Sequence, residues 1–575
     1  MSKLAGYVRQ HHLALLAIFL AVGGTGYAAG AAKNSVSSKS VKDNSLRGND
    51  ILDDSLTGAD INEGTLQGTI GPQGPVGPQG PPGSPDLPAD VLNKIKQVDG
   101  TGSGLDADTL DGSDSTEFAR YKKTILVSPG ANASASGAAL IAAVQGAPTP
   151  SVTNPILLKL EPGTYDIGSD TLELPDGLSL EGSGYRTTFV RHSSGSGSAV
   201  EVTGASEVSN IGFTNTVADP ASAALTVATP GTPVKLNNVN AFAAGAIGLD
   251  IDTNGTVTVT DTFAQGVPGT RLESGSLNMR GSSSFSPTDT GLEVQAGTAR
   301  IWDSFATSTS GPGIEIQGGS ATVWSSLVSS NSGTGMDFQG GFATVWSSFV
   351  SSSSGTGMGI QAGQATVRDS FVNSLDGNAV DIQGGFANLF SSFASSTDGS
   401  GLVVAGPTSS ATVRDSFATS ANAVGVDVSN NAFVNLNTST ARGATGARLI
   451  SNSNLVATGS EFNGQGPVAL SVSDSNATLR SSQVFGSDKG LVLDQSIGTL
   501  SGSSVFGGTT AITVENGTLY MTTGSVAGTT GLDMSAASAA TVATTDLGGA
   551  LTGAGTPVCV FSHSGSSELD AACQP

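Results

Sequence analysis

Apolar and polar side chains alternate in short bursts along most of this chain, and the bursts recur. The phrases "ATVWSSLV" at 321, "ATVWSSFV" at 343, "ATVRDSFV" at 365 and "ATVRDSFA" at 411 are variants of one another. A second phrase keeps step with them: "GLEVQAG" at 291, "GIEIQGG" at 313, "GMDFQGG" at 335, "GMGIQAG" at 357 and "AVDIQGG" at 379. Alternation with period two predicts strands, and the Gly and Ser clusters between them predict corners. With one apolar slot as marker, Phe263, Phe285, Phe305, Leu327, Phe349, Phe371, Phe393 and Phe417 fall 22 residues apart, with one step of 20 and one of 24. The register continues more weakly through Ser439, Glu461, Gln483 and Val505.

A fixed period of this length, built from short strands, is the mark of a solenoid. The fold class expected is all-β, a right-handed parallel β-helix over residues 124–550. The six-residue pulse of hexapeptide left-handed helices is absent. About eighteen coils stacked roughly 4.8 Å apart give a rod of roughly 85 Å. Residues one coil apart then lie above one another. Val323, Val345, Val367 and Val413 are expected to point inward, and the Phe series is expected to form an interior stack of rings.

The region before residue 124 is patterned differently. Residues 1–32 read as an export signal, with Lys3 and Arg9 ahead of a short apolar stretch, Leu13–Val22, and small residues around Ala28–Ala32. Left uncleaved, this segment is the chain's one route to a membrane. Residues 33–70 carry a five-residue rhythm from Ser35-Val36 to Thr65-Leu66, which reads either as a short pentapeptide-repeat coil or as a disordered stalk. Residues 71–85 hold Gly71, Gly74, Gly77, Gly80 and Gly83, the spacing of a collagen triple helix. That run is either a clasp for three chains or a stiff polyproline spacer. Residues 86–123 form a linker in which Leu92, Ile95 and Val98 share one face of a short helix beginning at Pro88.

Three resemblances follow from these residues. "VGGTGYAA", "KNSVSSKSVKDNSL" and the collagen-like run together resemble exported collagen-like-repeat surface proteins of high-GC Gram-positive bacteria, and "LDADTLDGSDSTEF" (Leu105 to Phe118) resembles a motif of phage tail fibres and bacterial surface proteins. They imply export and display. "ILLKLEPGTYDIGSDTLELPDGLSLEGSGYRTTFV" (Ile156 to Val190) resembles the opening coils of the pectate-lyase-like β-helix superfamily, which implies fold and not activity. The residues that usually mark the enzymes of that fold are missing: neither clustered calcium-binding aspartates with an arginine nor paired Asp motifs with Gly-His-Gly occur.

Composition narrows the chemistry. The net charge is −23, and beyond Leu160 the lysines are Lys235 and Lys489 alone, so no basic stripe exists for nucleic acid. Cys559 and Cys573 are expected to pair in a C-terminal cap, residues 551–575. His192 and His563 are too few for a histidine metal site or triad, and no metal site is expected. The "NAS" at Asn132 fits a glycosylation sequon by chance.

The candidate ligand-binding residues are Trp302, Trp324 and Trp346. Alternation puts them outside, in a slot continued by Arg368, Phe390 and Arg414. Their rings would stack on sugar faces, coil spacing matching sugar length; alternatively they fill a turn, cover a strand or bury in a trimer interface. The weak catalytic candidates are Glu315 and Asp337, in an outward slot shared with Glu293 and Asp381. Neighbours there are expected about 5 Å apart, as in retaining glycosidases, and crowded acids raise one pKa. The same oxygens could hold calcium, although a wet stripe of acids is commonplace. Gln295, Gln317, Gln339, Gln361 and Gln383 are expected to bond amide to amide, and Asp303, Asp369 and Asp415 to shape turns. The functional expectation is a secreted or cell-surface rod for attachment, binding carbohydrate and possible as a homotrimer. The alternatives are a polysaccharide lyase or glycoside hydrolase, and a purely structural envelope protein.

Overall fold

A computed structural model describes residues 120–228 and 231–574 throughout, together with a few positions between Leu87 and Asp114. The chain divides into two compact units, Met1–Gln97 and Val98–Pro575. In the first, Asp90, Val91 and Lys94 are helical, and the N–H groups of Asp90 and Val91 both donate to the Leu87 carbonyl at 2.8 and 3.1 Å. The signal, pentad and collagen-like segments lie outside the described residues.

The second unit is a parallel β-solenoid. Each lap contributes three strands, shown by Ser320–Trp324, Leu327–Ser330 and Met336–Phe338. Each strand pairs in parallel with its equivalent in the next coil: Val323 with Val345, Val328 with Val350, Ile316 with Phe338. The three stacks make a first, second and third face, named in the order of those strands. The third face runs unbroken through 18 strands, from Leu172–Leu174 to Ala550–Gly553. Val323, Val345, Val367 and Val413 are fully buried. The core is a narrow column of Val, Leu, Ile and Ala in which each coil covers its neighbours, so stability accrues coil by coil.

The Phe series is stacked but lies outside, against expectation. Phe305, Phe393 and Phe417 are 40–50% exposed, while Ala306, Ala394 and Ala418, one residue further along their strands, are buried. The cause is the corner. Trp324 points out and Ser325 turns left-handed with φ 48°. Ser326 then points in, so strand alternation restarts and Leu327 faces solvent.

One helix was not foreseen. α1 (Ala133–Gln145) is capped by Asn132, whose side chain accepts from Ala135 N. It lies across the first coil: Leu140 is fully buried, and a Cβ at Gly137 would come within 1.9 Å of the Asp166 carbonyl. The helix therefore touches backbone there, and covers a strand edge that would otherwise be open. At the far end Cys559 and Cys573 are disulfide-bonded, with Cα atoms 5.0 Å apart, and the Cys559 N–H donates to Ala571 O.

Candidate functional site

The corner between the first and second faces is built by serine. The backbone N–H of each corner serine donates to the hydroxyl of the one above: Ser304 to Ser326, Ser326 to Ser348 and Ser348 to Ser370, all at 3.1 Å. The series starts at Thr262 and continues to Ser503. Each hydroxyl also donates two residues back, as Ser326 does to Trp324 O at 2.7 Å and Ser348 to Trp346 O at 2.7 Å. Buried polar groups are thus satisfied along the whole corner. Between each residue of the tryptophan slot, aromatic or arginine, and its serine sits a left-handed residue: Asp303, Ser325, Ser347, Asp369, Ser391 and Asp415, all with φ between 47° and 51°. Asp303, Asp369 and Asp415 therefore shape turns, as their spacing predicts. Short polar side chains tolerate this conformation better than bulky ones.

Two columns of rings flank this corner. Trp324 and Trp346 are 41% and 37% exposed, and Trp302 is half-buried. The Trp324 and Trp346 rings stack on each other, with centroids 4.8 Å apart and planes 10° apart. The Arg368 guanidinium lies 4.5 Å from the Phe390 ring centre, extending the column by cation–π contact. Across the corner Phe349, Phe371, Phe393 and Phe417 stack at 5.5, 5.7 and 4.4 Å. The ring faces are largely spent on one another, so the columns present ring edges to solvent. One ring lying flat beneath each sugar, the expected arrangement, is not what the coils build.

Charge is segregated around this surface. The first-face strands from Thr256–Thr260 to Thr556–Val560 carry Arg280, Arg300, Arg368, Arg414 and Arg480, and no acidic residue. Asp303 and Asp415 adjoin them at the corner, 3.7 Å from Arg280 and 3.6 Å from Arg414. All four side chains are more than half exposed, so these pairs stabilise little.

The third face holds the carboxylates. Glu293, Glu315 and Asp337 are register partners in successive coils. Burial pushes the Asp337 carboxyl above its ordinary range and the neighbouring Glu315 adds to this. Glu293 is raised by burial too, against the lowering effect of Gln295 and with a further raising contribution from Glu315. The glutamines do not form the expected amide ladder. Three donate to an acid one coil below, Gln317 to Glu293 at 2.7 Å, Gln339 to Glu315 at 2.6 Å, and Gln361 to Asp337, and Gln295 donates to Glu293 in its own coil at 3.0 Å. Gln383 has Gly359 at that position and instead donates to Asp381 in its own coil at 2.6 Å. A carboxylate is a stronger acceptor than an amide, which explains the change of partner. A raised acid beside a second acid has the ingredients of general acid chemistry, but both are engaged by amides.

Elsewhere, His192 is buried with Nδ1 3.0 Å from Asp170 O, and His563 is exposed near the C-terminal end. Among the described residues no three His, Cys, Asp or Glu side chains converge as a metal site. A cleft of about 330 Å³ on the first face is lined by Arg120, Glu207, Lys235, Leu236, Asn237, Thr258 and Thr260. Sequence reasoning missed it because its lining comes from coils of irregular length. Lys235, one of two lysines beyond Leu160, was the available signal.

The fold and site define a parallel β-solenoid rod with an exposed aromatic corner. No protein-family model matches the chain, and no curated protein does. Solved structures with some likeness include the Dettilon tailspike protein, 12% identical over 78% of this chain and 72% of that one, TM-score 0.19. Geobacillus virus E2 ORF18 is 9% identical over 76% of this chain and 60% of that one, TM-score 0.13. The A-module of the Azotobacter vinelandii mannuronan C-5 epimerase AlgE6 is 13% identical over 75% of this chain and 94% of that one, TM-score 0.17. Likeness at this level carries no argument about ligand or activity.

Proposed function

We propose that this chain is an exported or surface-displayed rod used for attachment, and that the aromatic corner is its contact surface for carbohydrate. The observation that carries this reading is the exposed aromatic corner, where Trp324 and Trp346 stack on one side and Phe349, Phe371, Phe393 and Phe417 stack on the other. A contiguous apolar strip of this kind on a soluble surface marks an interaction site. Ring edges supply apolar contact to sugar C–H groups. Hydroxyl partners stand close by in Thr322, Thr344 and Thr366 of the first face and in the corner residues Asp303, Asp369 and Asp415. The contact is shallow, and many weak contacts along a rod suit attachment better than a deep single pocket. The disulfide supports an oxidising compartment, and among the described residues no helix is long and apolar enough to cross a membrane. The collagen-like run supports assembly of three chains, which would multiply weak contacts.

The test is a glycan array probed with the wild-type chain and with Trp324→Ala and Trp346→Ala. Loss of about tenfold in affinity on the bound glycans is expected, in the range for removing an interface tryptophan. Unchanged binding to every glycan that the wild type recognises removes the aromatic corner from the function.

One observation favours a second reading, polysaccharide cleavage: the raised Asp337 carboxyl beside Glu315. It requires depolymerisation by the wild type that is abolished in Glu315→Gln. An inactive wild type across acidic and neutral polysaccharides, with and without calcium, disposes of it.

A further inference from the structure

We infer that the cleft toward the N-terminal end of the first face is a subsite for an acidic sugar unit. This rests on the carbohydrate reading above and extends it from the aromatic corner to a second, charged position on the same surface.

The placement comes from strand register. Glu207, Lys235, Thr258, Asn278 and Arg300 form one outward column. Asn237, Thr260, Arg280, Trp302 and Trp324 form the next. The cleft occupies the first coils of both columns, and the tryptophans occupy the later coils of the second. Thr260 and Trp302 are two coils apart, roughly 10 Å. A chain lying along the aromatic corner and continuing toward the N-terminal end runs into the cleft.

The chemistry of the lining selects the ligand. Glu207 is engaged by Arg120 in an ion pair. Lys235 stands exposed in the same cleft and has no ion-pair partner among the described residues. Its ammonium is a free cation on a chain of net charge −23. Around it stand the amide of Asn237 and the hydroxyls of Thr258 and Thr260. An unpaired cation, two hydroxyls and an amide are complementary to a unit bearing one carboxylate and several hydroxyls. A plain carboxylate leaves the hydroxyl partners unused, and an uncharged sugar leaves Lys235 unpaired.

The test uses ligand-observed saturation-transfer NMR on the full chain, with glucuronate and glucose as probes. Glucuronate is expected to bind at least about tenfold more tightly than glucose, the contribution of one charge-assisted contact. Lys235→Ala is expected to erase that preference, and because Lys235 is exposed its replacement leaves the core intact. Arg480→Ala, which removes an exposed cation from a distant strand of the same face, is expected to leave the glucuronate preference unchanged. Equal binding of the two sugars, or a glucuronate preference that survives Lys235→Ala, overturns the inference. Array binding that is lost in Trp324→Ala while Lys235→Ala has no effect on glucuronate leaves the aromatic corner standing and removes the cleft alone. Glucuronate binding that depends on Lys235, alongside an array untouched by the tryptophan variants, keeps the cleft and removes the corner.

Discussion

Trp324 and Trp346 stand one coil apart and cover each other's faces, with ring centroids 4.8 Å apart. Each tryptophan is therefore at once a surface residue and a support for its neighbour. Trp346→Ala is expected to destabilise the chain by about 1 kcal/mol through lost stacking. Trp324 should become more accessible in the same variant. Fluorescence quenching by iodide, compared with the denaturation midpoint, measures both effects. Quenching that does not change contradicts the stack.

Ser348 accepts from the N–H of Ser326 at 3.1 Å and donates to Trp346 O at 2.7 Å. Ser348→Ala leaves a buried N–H without an acceptor, a loss of about 1–3 kcal/mol. Ser351→Ala, on the wet side of the next strand, is the control and is expected to be close to neutral. Chemical denaturation of the two variants checks this, and equal stability refutes a bonding role for the corner serines.

The pH dependence has two opposed parts. Glu293 and Asp337 hold their protons more tightly folded than unfolded. Their effect is to increase stability as pH falls from neutral through their folded values, levelling off below the unfolded value near pH 4. Asp166 runs the other way. Burial raises its carboxyl, but bonds from Arg191 and Ser193 outweigh this and hold it below its ordinary range. Its contribution is present above about pH 4 and is lost as pH falls through its folded value. The melting temperature is expected to rise slightly between pH 7 and pH 5, and to rise less in Asp337→Asn. A wild-type midpoint that falls over that interval would be the wrong sign.

Breaking the disulfide by Cys573→Ser is expected to loosen the last coil by about 3 kcal/mol, the value for a loop of this size. The edge of Thr556–Val560 then opens, and exposed strand edges recruit other chains. Faster amide exchange at Val558–Val560 and concentration-dependent association are the signals, and a variant that remains monodisperse with protected amides argues against a sealing role.

Much of the fold was legible because a solenoid writes its period into the chain. The inward valines followed from alternation, since each stands in the same slot as its neighbours. The phenylalanines did not, because one left-handed residue such as Ser325 interrupts the alternation, and serine fits that conformation without announcing it. The glutamine partners were misread because register places Gln339 above Gln317, while a long side chain reaches diagonally to Glu315. α1 was hidden by its own composition: "NASASGAALIAAVQG" buries only a few small residues and one leucine, so it has little apolar periodicity, although Asn132 and Gly146 mark its ends. The aromatic column was visible in the spelling, but the direction its rings face depended on the spacing between coils.

The serine corner also bears on how long such a molecule can be. Its joints are interchangeable, because each serine asks the same of the unit before and after it. A duplicated or deleted block of 22 residues would therefore rejoin without a mismatch, changing reach by one strand spacing and leaving both seals untouched. Length in this architecture is a quantity that tandem duplication can adjust in small equal steps, independently of what the surface recognises.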